Sequence, residues 1–331
     1  MFITLDDAVT RLIKGDLVAL PSETVYGLAG LALNLESVQK IFTLKGRPAT
    51  NPLIVHVAGL EQAEKLCKVN NLARKAASAF WPGPLTLVLP KRPCVPDLVT
   101  AGNQTVAIRV PKHPIFLEIL NRLNQPLAAP SANPSNRTSP TQASHLPELF
   151  GNNCPPTVDG GNSEVGLEST VLDLSSSQPT LLRPGVVTRI EIEKVLGIEV
   201  FLAEKEENTS RKIFENGSNR SPGMNPVHYA PITPLNLFYN IEELLHSEIF
   251  SVSDLVIVTN QKDLKYLQEK GIKARSLAHD NCPTTIARNL YRMLIELDSM
   301  GLPKMHLVFP MKSSGVNRAI LDRLTRAALP R

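Results

Sequence analysis

The chain has 331 residues, which is long for one average domain and typical of two. Hydrophobic residues make up 43% and charged residues 20%, the composition of a globular protein with sizeable cores. The formal net charge of +4 disfavours non-specific nucleic-acid binding through bulk charge but leaves room for a local basic cleft, and four cysteines without a CxxC pair disfavour a zinc site or a disulfide framework.

The N-terminal segment predicts an amphipathic helix over residues 4–15, capped by Thr4 and ended by Gly15. It lacks a secretory apolar core, and no run reaches the length of a membrane span, so we expect a cytoplasmic protein. Further helices are predicted at 36–44, 59–68, 70–80, 114–123, 141–149 and 188–196. Strands are predicted at 16–21, 52–57, 85–89, 105–110, 127–130, 169–174 and 179–183.

This irregular alternation of strands and helices predicts an α/β domain with a mixed sheet. Prolines follow strand after strand, and a proline ends a strand because it cannot donate to the hydrogen-bond ladder. We therefore expect the polar residues beyond those strand ends to converge at one edge of the sheet, where open α/β folds bind ligands.

A polar, charged stretch at 203–222 marks the boundary between two domains. We predict a first domain over residues 1–203, a linker over 204–232 and a C-terminal α/β domain over 233–331. The last part is a small doubly wound domain without a glycine-rich phosphate loop. Its elements are predicted as strands at 235–238, 254–259, 273–276 and 305–309, and helices at 241–248, 262–270, 284–299 and 317–328.

Polar loops at the strand ends carry the residues of chemical interest. Each has a purely structural alternative: a capped turn at "PSETVYGLAG", a solvated turn at Lys45 and Arg47, a core role for His56, and a water-facing Arg109. Together they would suit a polyanion plus a small zwitterion. Neither a nucleophile–base pair nor a metal cluster is evident, which favours chemistry by positioning and charge stabilisation, as in phosphoryl or nucleotidyl transfer.

Seven motifs in order carry a resemblance: "PSETVYGL", "KGRPATNPLIVHV", "WPGPLTLVL", "AIRVP", "APSANPS" with "SPT", "DGG" with "GLESTV", and "RPG". Together they resemble the YrdC/Sua5 family. The segment "SPGMNPVHYAP" and the α/β tail are similar to the two-domain Sua5 branch. The resemblance implies a YrdC-like domain with a twisted mixed sheet, followed by a small Rossmann-like Sua5 domain with a parallel sheet.

The resemblance also implies an activity, that of an L-threonylcarbamoyladenylate synthase, a nucleotidyltransferase that serves the N6-threonylcarbamoylation of adenosine 37 in tRNA. The threonine amine becomes a carbamate with bicarbonate or CO2, the carbamate oxygen attacks the α-phosphorus of ATP bound with Mg2+, and pyrophosphate leaves. The partners implied downstream are threonylcarbamoyl-transferase proteins and, indirectly, tRNA, with no membrane.

The site residues that the resemblance implies fall into three groups. Threonine would be held by Thr24, His56, Arg109 and Ser169, with Arg109 on its carboxylate. Lys45 would face the bicarbonate and phosphates and, with Arg47, serve catalysis, and no protein metal site is implied. ATP would be held by Arg47, Asn51, Thr105, Ser131, Ser139, Arg183 and Tyr229. We expect the linker that carries Tyr229 to fold over the site as a lid.

The chain departs from the family pattern at three places. Ser22 stands where threonine is usual, Asn136 stands where glycine is usual, and Asn225, Pro226 and Val227 replace the usual basic linker residues. Asn136 can still adopt a left-handed conformation. Two other functions remain open: a non-enzymatic RNA-binding module, and a carbamoyl-transfer domain like those of hydrogenase maturation factors, whose zinc-finger and acylphosphatase modules this chain lacks.

Overall fold

Two β-sheets organise the computed structural model, which describes residues 1–203 and 228–329. Within these ranges the first sheet has nine strands in the order β1-β2-β6-β3-β5-β4-β7-β8-β9. It mixes parallel pairs, such as β3 with β5, and antiparallel pairs, such as β4 with β5, as expected. Its strands are β1 (Val18–Leu20), β2 (Gly27–Leu31), β3 (Ile54–His56), β4 (Leu85–Pro90), β5 (Thr105–Arg109), β6 (Leu127–Ala128), β7 (Thr170–Asp173), β8 (Thr180–Arg183) and β9 (Phe201–Leu202).

Helices cover this sheet and begin and end at recognisable caps. Thr4 forms a capping box with Asp7, and Gly46 ends the second helix with a left-handed φ of 59°, which turns the chain toward β3. The helices are α1 (Leu5–Ile13), α2 (Leu35–Lys45), α3 (Leu60–Glu64), α4 (Asn71–Phe80), α5 (Asp97–Thr100), α6 (Pro114–Leu123), α7 (His145–Phe150) and α8 (Arg189–Leu196), with a 3-10 turn at Gly151–Asn153.

The second sheet is parallel, in the order β10-β13-β11-β12. Strands and helices alternate, so the expected small doubly wound domain is confirmed. Its elements are β10 (Leu235–Phe238), α9 (Ile241–Leu245), β11 (Leu255–Val258), α10 (Gln261–Glu269), β12 (Ala274–Ser276), α11 (Pro283–Asp298), β13 (Met305–Val308) and α12 (Gly315–Ala327).

Several elements differ from the sequence expectation: α5 and β9 were not predicted, and α9 ends at Leu245 instead of reaching residue 248. Strand β2 lies where we expected a loop, and it pairs with β1 and β6. Its glycines allow close packing there: a Cβ at Gly30 would lie 2.9 Å from the Leu17 side chain. Helix α3 is shorter than expected because the backbone of residues 66–68 bonds to residues 90–92. Helix α7 starts late because the Thr141 carbonyl accepts from the Ser163 N–H and its N–H bonds to His145.

Each sheet has apolar clusters of its own, and one further cluster is shared between them. One apolar cluster joins Val25, Leu167 and Tyr229 to the C-terminal helices α11 and α12. At Gly166, with a φ of 77°, a Cβ would lie 2.5 Å from the Arg288 Cα, so the backbones of the two parts touch there. The predicted domain boundaries stay predictions, since residues 204–227 of the linker lie outside the described residues. In the described part of the chain, no helix has the length and apolarity needed to cross a membrane.

Candidate active site

A cavity of about 50 Å³ opens at the edge of the first sheet where β3, β5 and β8 end. The polar residues beyond the strand ends do converge at one edge, as expected. The cavity reaches the linker through His228 and Tyr229. Eight predicted site residues line it, namely Thr24, Arg47, His56, Arg109, Ser131, Ser169, Arg183 and Tyr229.

Arg109, at the end of β5, is buried and already has a carboxylate partner. Its Nη2 lies 2.6 Å from Oε1 of Glu23, a partner that we did not foresee from the sequence. Its Nη1 donates to the Thr24 hydroxyl at 3.0 Å, and its Nε donates to the Gly83 carbonyl at 3.1 Å. The Glu23 contact is ionic and lacks good hydrogen-bond geometry, so Nη2 of Arg109 has no hydrogen-bond acceptor in this arrangement.

His56 ends β3, level with Arg109 in the parallel register. Its ring stacks on Phe116 with centroids 5.0 Å apart. Burial first, and then the charge of Arg109, lower the pKa of His56 to about 3, so the imidazole is neutral at physiological pH. A neutral ring beside a cation suits a small polar ligand better than a second charge would.

Arg47 lies in the turn that follows α2, and it is tied to the start of β3. Its guanidinium donates to the Asn51 carbonyl at 3.0 Å, to the Asn51 side chain at 2.7 Å and to the Pro52 carbonyl at 2.7 Å. Burial lowers the pKa of Arg47 to about 9, which still leaves a cation at neutral pH. Asn51 therefore aims Arg47 rather than lining the cavity itself.

Lys45 is buried at the end of α2 and does not line the cavity. Its ammonium donates to the backbone carbonyls of Ser131 and Asn133, and so holds the loop that carries Ser131 against the cavity. Burial, followed by the charge of Arg47, lowers the pKa of Lys45 well below its ordinary value. In this structure Lys45 contacts that loop and not the cavity itself.

Ser169 and Arg183 form one unit across the β7–β8 pair. The Arg183 guanidinium donates to the Ser169 carbonyl and hydroxyl, each at 3.1 Å, and the Ser169 hydroxyl also bonds Thr86 at 2.7 Å. Thr105 lies at the opposite end of β5 from Arg109 and is absent from the cavity lining. Ser139 is buried behind the lining, where its hydroxyl donates to Glu168 at 2.6 Å.

Glu168 is the site residue that sequence reasoning missed. It lines the cavity and accepts hydrogen bonds from Ser139 and from two residues of the C-terminal domain, Tyr291 and Arg323. Burial raises the pKa of Glu168, but the charges of Arg323 and Arg183 and the Ser139 bond outweigh it, so the net pKa is lowered. The position of Glu168 within the motif "GLESTV" could have marked it as a site residue, but its C-terminal partners lie more than a hundred residues further along the chain.

The linker residues close the cavity on the remaining side. Asn136 takes a φ of 66°, as expected for the position of a usual glycine, and its carbonyl accepts from the Ala230 N–H at 2.9 Å. This contact docks the described end of the linker on the loop that carries Ser139. Burial and the surrounding cations lower the pKa of His228 well below its ordinary value, so this ring is neutral too.

The cavity lining carries more positively charged than negatively charged side chains. The guanidinium groups of Arg47, Arg109 and Arg183 line the cavity, whereas the nearby carboxylates are Glu168 in the lining and Glu23, which pairs with Arg109. A water-poor pocket with excess cations favours anionic ligands. Residues 1–203 and 228–329 hold no group of three or more His, Cys, Asp or Glu placed to bind a metal ion.

Comparison with known proteins identifies the family. Residues 10–185 match the Sua5, YciO and YrdC family model, whose description reads telomere recombination. Residues 187–329 match the model for the threonylcarbamoyl-AMP synthase C-terminal domain. The chain belongs to the two-domain Sua5 family of threonylcarbamoyl-AMP synthases. These matches confirm the family, the fold and the activity that the resemblance of the sequence motifs implied.

Relatives of this family match nearly the full chain. A threonylcarbamoyl-AMP synthase of Pyrococcus abyssi is 38% identical over 95% of this chain and 91% of its own length. That of Bacillus subtilis is 37% identical over 97% of this chain and 92% of its own. A crystal structure of P. abyssi Sua5 complexed with L-threonine has a TM-score of 0.80 at 36% identity, covering 98% of this chain and 94% of that one.

Proposed function

We propose that the residues around this cavity, which must widen from its present volume of about 50 Å³ to admit both ligands, bind L-threonine and ATP side by side and join them through bicarbonate. The products are threonylcarbamoyl-AMP and pyrophosphate, and the adenylate then serves modification of adenosine 37 in tRNA through downstream transferase proteins. The P. abyssi Sua5 structure with L-threonine, a close structural match, supports threonine as the amino-acid substrate.

In this proposal threonine occupies the end of the cavity formed by β3 and β5. The Arg109 guanidinium takes the threonine carboxylate, since its planar fork matches a carboxylate and Glu23 holds it in place. The neutral His56 ring and the hydroxyls of Thr24 and Ser169 face the amine and the side chain. The amine is then free to add to CO2 and form the carbamate.

ATP occupies the opposite end, against Arg47, Ser131, Arg183 and Tyr229. It would enter as its Mg2+ complex, in which the phosphates and water supply most of the Mg2+ ligands. The carbamate oxygen attacks the α-phosphorus in line with the departing pyrophosphate. Arg47, aimed by Asn51, and Lys45, acting on the Ser131 loop, stabilise the developing negative charge.

The observation that carries this proposal is a set of unsatisfied polar atoms around the cavity. Among the described residues, His56 Nδ1, His228 Nδ1 and the Tyr229 hydroxyl are buried without a hydrogen-bond partner. Each such atom costs about 1–3 kcal/mol when it is left unpaired in a protein interior. A polar ligand that pairs with them recovers that free energy on binding.

The test is pyrophosphate release by the purified chain with threonine, bicarbonate and ATP, and with each omitted in turn. We expect release only when all three are present with Mg2+, together with threonylcarbamoyl-AMP detected by mass spectrometry. Release that is independent of threonine or bicarbonate would contradict the proposal. Binding of RNA without any turnover would favour the alternative of an RNA-binding module.

A further inference from the structure

Two side chains of the C-terminal domain reach the catalytic cavity of the first domain through one carboxylate. Arg323, from α12, places its Nε 3.0 Å from Oε2 of Glu168 and donates to the Pro184 carbonyl at 3.1 Å. Tyr291, from α11, donates its hydroxyl to the same Oε2 at 3.0 Å. Both side chains are buried, so water does not compete for these bonds.

The other oxygen of Glu168 points the opposite way, into the first domain. Its Oε1 accepts from the Ser139 hydroxyl at 2.6 Å. The carboxylate therefore links the C-terminal helices to a residue of the "SANPSNRTSPT" loop. Arg323 and Arg183 keep the carboxylate ionised, because their charges lower the pKa of Glu168 despite its burial.

The same two side chains also hold the linker tyrosine. The Arg323 guanidinium lies 4.9 Å from the centroid of the Tyr229 ring, and the Tyr291 ring stacks on it at 5.9 Å. Cation–π and aromatic contacts of this kind are individually modest but add when they are buried. The Tyr229 ring is thus fixed in the cavity wall from the C-terminal side.

We propose that Arg323 and Tyr291 are positioning residues that set the nucleotide end of the cavity through Glu168. They fix Ser139 by the shared carboxylate and fix Tyr229 by its ring. The C-terminal domain thereby takes part in ATP binding without touching ATP. This inference rests on the proposed function, which places ATP at that end, and neither residue belongs to a motif that we singled out from the sequence.

Steady-state kinetics of Arg323→Met and Tyr291→Phe test this in the full chain. We expect Arg323→Met to raise KM for ATP about ten- to a hundredfold, and Tyr291→Phe to raise it about three- to tenfold. KM for threonine should change much less, because Arg109 and His56 have no contact with this network. Arg323→Lys keeps the charge but loses the fork, so it should recover part of the ATP affinity.

A double-mutant cycle separates positioning from mere stabilisation. Combining Arg323→Met with Glu168→Gln should add little to either single change in KM for ATP, because both act through one carboxylate. The matched control is Arg292→Met on α11, whose exposed pair with Glu296 lies outside the network, and it should keep wild-type kinetics. Thermal unfolding of every variant reports on the fold.

Three outcomes would overturn the inference: normal kinetics in a folded Arg323→Met, an equal rise of both KM values, or a lowered melting temperature with an unchanged KM ratio. If Arg323→Met does not fold, Arg323→Lys and Tyr291→Phe decide by the same ratio. An inactive wild type would instead count against the proposed function. An active wild type with unchanged ratios in the variants counts against this inference alone.

Discussion

Replacement of Arg109 should affect both threonine binding and folding, because this guanidinium has two carboxylate partners in the proposed complex. Arg109→Ala removes the charge-assisted bonds to the threonine carboxylate, which are worth about 1.5–3 kcal/mol. That corresponds to a loss of about ten- to a hundredfold in threonine affinity. ATP binding should change much less, since the proposal places ATP against Arg47 and Arg183 and not against Arg109.

The same substitution also leaves Glu23 buried beside an empty space. Only a few per cent of either side chain is exposed, and their charged atoms lie 2.6 Å apart. Breaking such a buried pair from one side costs about 3–5 kcal/mol of folding stability. We therefore expect Arg109→Ala to melt at a clearly lower temperature than the wild type, apart from any effect on ligands.

A second change restores stability without restoring binding. Glu23→Gln in the Arg109→Ala background removes the unpaired charge, while the amide oxygen still accepts from the Lys112 N–H, as Glu23 Oε2 does at 3.1 Å. The double variant should regain much of the lost melting temperature and still bind threonine weakly by calorimetry. Normal threonine affinity in the folded double variant, or an equal loss of threonine and ATP affinity, would refute the reasoning.

Three further predictions concern the cations, the linker and pH. Arg47→Ala should weaken ATP about tenfold or more in equilibrium binding, whereas Lys45→Ala should lower kcat more than threonine affinity. Tyr229→Ala in the full chain should lower adenylate synthesis while threonine binding persists. Tyr229→Ala tests the predicted lid role of the linker more directly than truncation after residue 203, because truncation also removes Tyr291 and Arg323, the C-terminal partners of Glu168. The pKa of His56 is about 3 in the folded chain and near 6.5 when unfolded, so its stability contribution is complete above pH 6.5 and is lost as pH falls from there toward 3. Between these two pKa values, His56 should make the free energy of unfolding fall by about 1.4 kcal/mol for each unit of decreasing pH. The His56→Gln variant should not show this part of the pH dependence when its urea unfolding is measured at acidic pH.

Most of the fold was predictable because hydrophobic periodicity and capping residues are local signals. Thr4 caps α1 and Gly46 ends α2 as their residue types indicate. Strand β2 was missed because glycine is rare in strands, and here its small size matters for packing against neighbouring side chains. The early end of α3 and the late start of α7 come from backbone bonds to distant loops, which no local pattern reveals.

The residues that line the site could be predicted from the sequence, but the side chains with which they pair could not. Ordered motifs placed residues such as Thr24, His56 and Arg183 at strand ends, and the sheet brings them to one edge. The partners of those residues depend on long-range packing. Glu23 meets Arg109 across the sheet edge, and Glu168 meets Arg323 at 155 positions along the chain. Such pairings follow from tertiary structure, so a single sequence does not show them.

The contact at Gly166 has a consequence for how this enzyme can vary. Its missing side chain lets the loop before β7 lie directly on the backbone of Arg288. Any larger residue there would separate two surfaces that share a core cluster with Val25 and Tyr229. The contact surfaces of the N-terminal and C-terminal parts are therefore complementary to each other. A chimera that joins the two parts from distant relatives would pack poorly at this interface, next to the active-site cavity.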